Sequence, residues 1–214
     1  MYFHSIPYLC FLPLVVFMMS RFSAIDRWKV LLASSLFFYA WLSPWALIYL
    51  AVVVLISYFT GRRLETASSH RLFLLWTAIT SFLLTIAASK YFLPKSLLAP
   101  IGLSFYSFQA IGYLIDVYRR TRKFENHFGT HAAFICFFPT LLSGPIERAG
   151  SLIPQIQQPS EEIASSTERH LLLFYGGLFK KLMIADALVK FVTPIFQHPQ
   201  YYSGFTLFLG IALA

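Results

Sequence analysis

The sequence predicts an all-α, polytopic transmembrane protein, and three observations carry the membrane reading. Hydrophobic residues fill 57% of the 214 positions and aromatics 18%, while only 12% are charged, about half the share usual in soluble domains. A folded chain of this length still exposes ~30% of the surface of its unfolded form, and so few polar residues cannot cover that surface in water. The apolar residues also come in long runs separated by short basic clusters, which is the pattern of membrane helices joined by loops. The abundant aromatics and the lack of a glycine period exclude disorder and a collagen-like fibre. Two cysteines are too few for a disulfide scaffold.

The first run, Ile6–Met19, has no basic residue before it and no small-x-small cleavage site after it, so it reads as a retained helix rather than a signal peptide. Further runs lie at Val30–Leu42, Trp45–Phe59, Leu72–Ala88, Leu97–Val117, Ala132–Leu142, Leu171–Val189 and Phe205–Ala214. Several fall short of the ~20 residues that cross ~30 Å of hydrocarbon, and flanking aromatics extend some of them into the interface. Ala132–Leu142 is too short to span and reads as re-entrant or packed inside the protein. The last run is apolar to its final residue and about half a spanning length. The expectation is one membrane domain, residues 1–214, truncated at its C-terminus.

Lysine and arginine outnumber acids 17 to 9, a net charge of +8. A nucleic-acid binder gathers such charge on one stripe or groove, whereas here it sits in loops, so nucleic acid is rejected as a partner. Arg21, Arg27 and Lys29 follow the first run, Arg62, Arg63 and Arg71 the third, and Arg119, Arg120, Arg122 and Lys123 the fifth, while the intervening loops carry no basic residue or only Lys90 and Lys95. The positive-inside rule puts those clusters in the cytoplasm and the N-terminus outside. If Ala132–Leu142 enters and leaves on one side, the polar stretch Glu147–His170 is cytoplasmic as well. Cys10 and Cys136 lie inside apolar runs without metal-ligand spacing and read as buried, reduced thiols.

Three segments stand out. In residues 100–119 (PIGLSFYSFQAIGYLIDVYR), helical spacing puts Gln109, Gly112 and Asp116 on one face, a polar seam that contacts another helix or lines a cavity. Asp116 could equally pair with Arg119 or Arg120, and Gly102, Ser104 and Gly112 could be helix-packing contacts. In residues 138–148 (FPTLLSGPIER), leading into Leu152–Ile156, Gly144 suits a helix N-cap, Pro145 the first helical position and Glu147 the third. Arg148 either snorkels to lipid or meets an anionic headgroup or substrate phosphate. In residues 174–188 (FYGGLFKKLMIADAL), Lys180 and Lys181 point about 100° apart on a helix, so at least one faces protein or a water-filled cavity. Asp186 is spaced to pair with Lys190, and Gly176 with Gly177 suits the close approach of another backbone or a ligand.

Histidine is the natural general base for hydroxyl chemistry near neutral pH. All six histidines (His4, His70, His127, His131, His170 and His198) lie in loops or at the edges of apolar runs and read as interfacial. Neither a G-x-S-x-G elbow nor an H-E-x-x-H zinc motif occurs. The residues alone identify no catalytic group and no metal site.

Residues 31–41 (LLASSLFFYAW), 100–109 with 116–119, 143–148 (SGPIER) and 177–186 (GLFKKLMIAD) together resemble the alginate O-acetyltransferase branch of the membrane-bound O-acyltransferases. The resemblance covers essentially the whole chain and corresponds to the N-terminal half of the family. It implies a ring of helices around a funnel in the bacterial inner membrane. An acyl donor, acetyl-CoA or another acetyl thioester acting as substrate with no bound cofactor, arrives from the cytoplasm. The hydroxyl acceptor, an exported polysaccharide such as alginate or a partner acetyl-transfer protein, arrives from the other side, and membrane lipid surrounds the ring. The family's base is a buried histidine of its C-terminal half, so this chain is expected to be inactive alone. The resemblance makes Ser104, Gln109, Glu147, Arg148, Lys180 and Lys181 substrate-binding wall residues. A non-catalytic membrane subunit or transport-like scaffold is the alternative.

Overall fold

The structure is a computed structural model that describes residues 6–23, 25–67, 69–91, 100–142, 144–157, 167–197 and 199–213. The N-terminal pentapeptide with His4, and also Lys95, Ser143, the 158–166 part of the polar stretch, His198 and Ala214, lie outside the described residues. Every described element is helical: α1 Ile6–Arg21, α2 Arg27–Leu42, α3 Ala46–Thr66, α4 Arg71–Tyr91, α5 Leu103–Tyr118, α6 Phe128–Ile135, α7 Phe138–Leu141, α8 Ala149–Gln157 and α9 Thr167–Phe179. A π-helical stretch, Lys180–Ala185, runs on into α10 Asp186–Gln197, and a 3₁₀ turn, Pro199–Tyr201, precedes α11 Gly204–Leu213. The contacts divide the chain into two units, Pro7–Pro159 and Ser160–Ala214.

In the first unit α3 and α4 are each 21 residues long and apolar enough to cross a membrane, about 31 Å at 1.5 Å per residue. α4 turns Phe73, Trp76 and Leu84 outward, and such a row of large exposed apolar side chains suits lipid rather than water. α3 packs against both α4 and α5, and α2 against α6. Tyr106, Ala110, Tyr113, Leu114 and Val117 of α5 recur every three or four residues and are all buried, which is the stripe of an amphipathic helix facing a core. They meet Leu50, Val53, Val54 and Leu64 of α3 in one apolar cluster.

The apolar run at 132–142 breaks into α6 and α7, neither long enough to span. Every residue from Gly129 to Cys136 is buried, so this segment is packed inside the protein. α7 begins with Pro139 in its first turn, where a missing N–H costs nothing, and the Phe138 N–H donates to the buried Ser35 Oγ at 3.2 Å. Ser35 belongs to the α2 motif, so one of its small polar residues satisfies a backbone donor in the core.

Tertiary contacts gather the three basic clusters at one end of this unit. The Arg71 guanidinium donates to the carbonyls of Leu64, Val117 and Tyr118 at 3.1, 3.2 and 2.9 Å, joining the end of α3, the start of α4 and the end of α5. Trp28, at the start of α2, packs edge-on against His127 at 4.8 Å, and the Trp28 ring lies so close to Gly129 that a Cβ there would clash with it. At the opposite end the Tyr39 hydroxyl donates to the Ile101 carbonyl at 2.7 Å. Gly102 adopts φ +82°, and a Cβ there would lie 2.3 Å from the Leu141 carbonyl oxygen, so both backbone shape and space demand glycine.

Several expectations change. Cys10 is exposed on α1, and only Cys136 is buried, because a lone short helix offers only one face to a core. Helix α8 starts at Ala149, and residues 145–148 are not helical, so Gly144 is not an N-cap. Its role is close approach, since a Cβ there would fall 2.5 Å from the Thr140 Cα. Asp186 pairs with Lys181 rather than Lys190. In the second unit Gly176 and Gly177 face open space among the described residues, and large apolar side chains such as Leu172, Leu173 and Phe179 are exposed.

Candidate functional site

A recess of about 410 Å³ opens at the basic end of the first unit, lined by Gly112, Tyr113, Ile115, Asp116, Arg119, Ile146, Glu147, Arg148 and Ala149. Two of the sequence segments thus converge, the C-terminal turns of α5 and the non-helical segment before α8. The chain leaves α5 through Arg120, whose φ of +59° gives the left-handed reversal common after a helix end. The Asp116 carbonyl accepts from the Thr121 N–H and Oγ1, both at 3.1 Å, and from the Arg122 N–H at 3.4 Å. Beyond that turn the Arg122 Nη1 donates to the Ala149 carbonyl at 2.6 Å. The Arg148 carbonyl in turn accepts the Ser151 and Leu152 amides, at 3.0 and 3.1 Å, and so opens α8.

Four charged groups line this recess without neutralising one another. Among the described residues the ion pairs are Lys29–Asp26 and Lys181–Asp186, so neither Asp116 with Arg119 or Arg120, nor Glu147 with Arg148, forms one. Two guanidiniums and two carboxylates side by side can take up a dipolar or anionic ligand, the arginines gripping phosphate or carboxylate oxygens and the acids accepting from N–H or O–H groups.

The expected polar seam of α5 splits. Gln109 is buried and its Nε2 donates to the Phe134 carbonyl at 2.8 Å, so it ties α5 to α6, whereas Gly112 and Asp116 line the recess. Ser104 lies 12 residues before Asp116, about 18 Å along the helix, beside a smaller hollow of about 160 Å³ that also involves Ser89, Lys90 and Gly102. Of the six expected wall residues, the structure brings together Glu147 and Arg148 and puts Ser104 and Gln109 elsewhere in the same unit. Lys180 and Lys181 belong to the second unit, both exposed, with Lys181 engaged by Asp186. Arg119, Arg122 and Tyr113 carried no distinguishing signal, since loop arginines and an aromatic in an apolar helix are what topology and packing alone would supply.

His131 departs most from expectation. It is fully buried in α6, its ring centroid 4.8 Å from that of Tyr113 and 5.6 Å from that of Tyr58. The Ser57 hydroxyl donates to the Val54 carbonyl at 3.0 Å and lies 2.8 Å from His131 Nε2, so Nε2 carries the proton and donates to Ser57. Nδ1 is buried with no partner among the described residues. Burial holds this imidazole neutral, its pKa well below the ordinary histidine range. Tyr113 is a wall of the recess, with His131 behind it. A histidine at the edge of an apolar run gave no hint of this, because the bend that buries α6 is tertiary.

Span-length helices, outward apolar side chains and a charged recess at the basic end define a helical membrane protein with a polar mouth. The chain is 32% identical over 187 residues to the probable alginate O-acetylase AlgI of Pseudomonas fluorescens, covering 83% of this chain and 38% of that protein. It is 30% identical over 213 residues to the probable alginate O-acetylase AlgI of Azotobacter vinelandii, covering 88% of this chain and 41% of that one. With the peptidoglycan O-acetyltransferase of Helicobacter pylori it shares 29% identity over 210 residues, 77% of this chain and 39% of that protein. The chain belongs to the membrane-bound O-acyltransferase family, on the branch of the alginate O-acetylases. It matches about two fifths of the length of these relatives. No family profile and no solved structure matches it.

Proposed function

We propose that this chain forms part of a polysaccharide O-acetyltransferase of the inner membrane, and that the recess at its basic end receives the anionic portion of an acetyl thioester donor from the cytoplasm. The observation that carries the reading is the convergence of Arg119 and Arg148, from segments 29 residues apart in sequence, on one open recess where neither forms an ion pair among the described residues. The positive-inside rule supports a cytoplasmic position for this end, with a multi-pass chain whose N-terminus is outside. In the reaction a sugar hydroxyl oxygen bonds to the acetyl carbon and the carbon–sulfur bond breaks. The hydroxyl proton goes to a base, and the thiolate leaves. Arg119 and Arg148 hold the donor, Glu147 and Asp116 orient it, and the base comes from outside the described residues, because His131 lies behind Tyr113 with its Nε2 committed to Ser57. That base is worth roughly 10²–10⁴ in rate, and because the family resemblance puts it in the C-terminal half, the chain is expected to be inactive alone.

The test is acetyl-CoA binding to the full chain in detergent micelles, together with transfer of labelled acetyl to alginate. Wild type is expected to bind with an affinity that falls as salt rises, Arg148→Ala to bind about tenfold more weakly, and neither to acetylate alginate. Binding indifferent to Arg148 overturns the assignment of the recess, and turnover by the chain alone overturns the missing base. No binding at all favours a scaffold.

A further inference from the structure

We propose that Arg122 is the positioning residue of the charged recess, setting the separation of its two walls. The proposal rests on reading the recess as the donor site. Arg122 touches both walls at once: its backbone N–H donates to the Asp116 carbonyl at the end of α5, and its Nη1 donates to the carbonyl of buried Ala149, next to Arg148. The side chains of Asp116, Arg119, Glu147 and Arg148 have no hydrogen bond or ion pair among the described residues, so their placement depends on the backbone that carries them. Residues 145–148 are not helical. The segment is held before its start by the Gly144 N–H, which donates to the Thr140 carbonyl at 3.1 Å, and at its end by α8, through the Arg148 carbonyl and through Ala149, the first residue of that helix, which Arg122 ties to α5. Helix α8 fixes where this wall ends, and Arg122 fixes how far it stands from α5.

The guanidinium does this at a cost, since its Nε is buried without a partner among the described residues, and an unmade bond of that kind is destabilising. Lysine would keep one donor for the Ala149 carbonyl and remove the unpaired N–H. Methionine would keep the apolar stem, which supports packing, and remove every donor. The two substitutions therefore separate the tie from the bulk.

The experiment uses the full chain in detergent micelles, with amide hydrogen exchange over residues 145–152 and over α3, and with acetyl-CoA binding as the second readout. Arg122→Met is expected to speed exchange at 145–152 about tenfold and weaken acetyl-CoA about tenfold, about 1.4 kcal/mol, leaving α3 protection as in wild type. Arg122→Lys is expected to restore both to within about threefold of wild type. Unchanged exchange at 145–152 overturns the proposal. Faster exchange with undiminished acetyl-CoA affinity overturns positioning, and protection lost from α3 as well shows a general packing role and overturns it too. If wild type binds no acetyl-CoA while exchange at 145–152 responds to Arg122→Met and recovers in Arg122→Lys, the donor reading fails and the tie between the walls stands.

Discussion

Protonating His131 should loosen the first unit, and the size of the effect follows from its surroundings. In the folded chain Nε2 donates to Ser57 and Nδ1 has no partner among the described residues. A second proton on Nδ1 would therefore add a charge and an unmet donor between the Tyr58 and Tyr113 rings. The folded pKa lies below the ordinary value of about 6.5, so the unfolded chain takes the proton first as pH falls. Stability from this group is complete well above pH 6.5 and declines below it by about 1.4 kcal/mol per pH unit. Between pH 7 and pH 5 the loss is about 2 kcal/mol, or about 4–8 °C in midpoint for a chain of this size. Cys136 is buried and Cys10 exposed, so a Cys10→Ser protein treated with a thiol-reactive dye reports thermal opening of the core. The informative quantity is the difference between this protein and one also carrying His131→Gln, which cancels every contribution the two share. A glutamine can still donate to Ser57 but does not titrate in this range. Equal pH slopes in the two proteins would refute the argument.

Gly102→Ala forces a side chain into the left-handed region and against the Leu141 carbonyl. It should cost at least about 3 kcal/mol, read as a lower midpoint in the same dye assay. Gln109→Leu removes the side-chain donor from the Phe134 carbonyl, which keeps the Phe137 N–H at 3.4 Å, and should cost about 1 kcal/mol, with faster hydrogen exchange in α6 as its local signature. Asp186→Asn breaks the exposed pair with Lys181 and should change stability by less than about 1 kcal/mol. A larger loss in denaturant titration would show that the pair is not solvent-screened.

The helical membrane character was legible in the sequence because it rests on summed apolar content and on loop charge, properties that hold wherever the helices sit. Residues 132–142 were legible as non-spanning because length alone excludes a crossing. Glu147 and Arg148 stood out because charge at the edge of an apolar segment is expensive and therefore conspicuous. Gln109 and Asp116 share a helix face, yet one is consumed in packing and the other lines the recess. That division depends on where α6 lies along α5, which periodicity cannot encode. Lys180 and Lys181 looked equivalent, and the Asp186 pair distinguishes them.

What the sequence by itself determined is the solvent this protein inhabits, the placement of its basic residues in loops and the family to which its motifs belong. The tertiary structure alone decided which polar groups meet. Arg71 and Trp28 gather the basic clusters at one end, and Arg122, whose N–H donates to the Asp116 carbonyl, reaches the Ala149 carbonyl across 27 residues of chain. The turn after α5 also buries His131 behind Tyr113. The physical reason is range: hydropathy and charge act locally and add along the chain, whereas a recess exists only once distant segments close on one another.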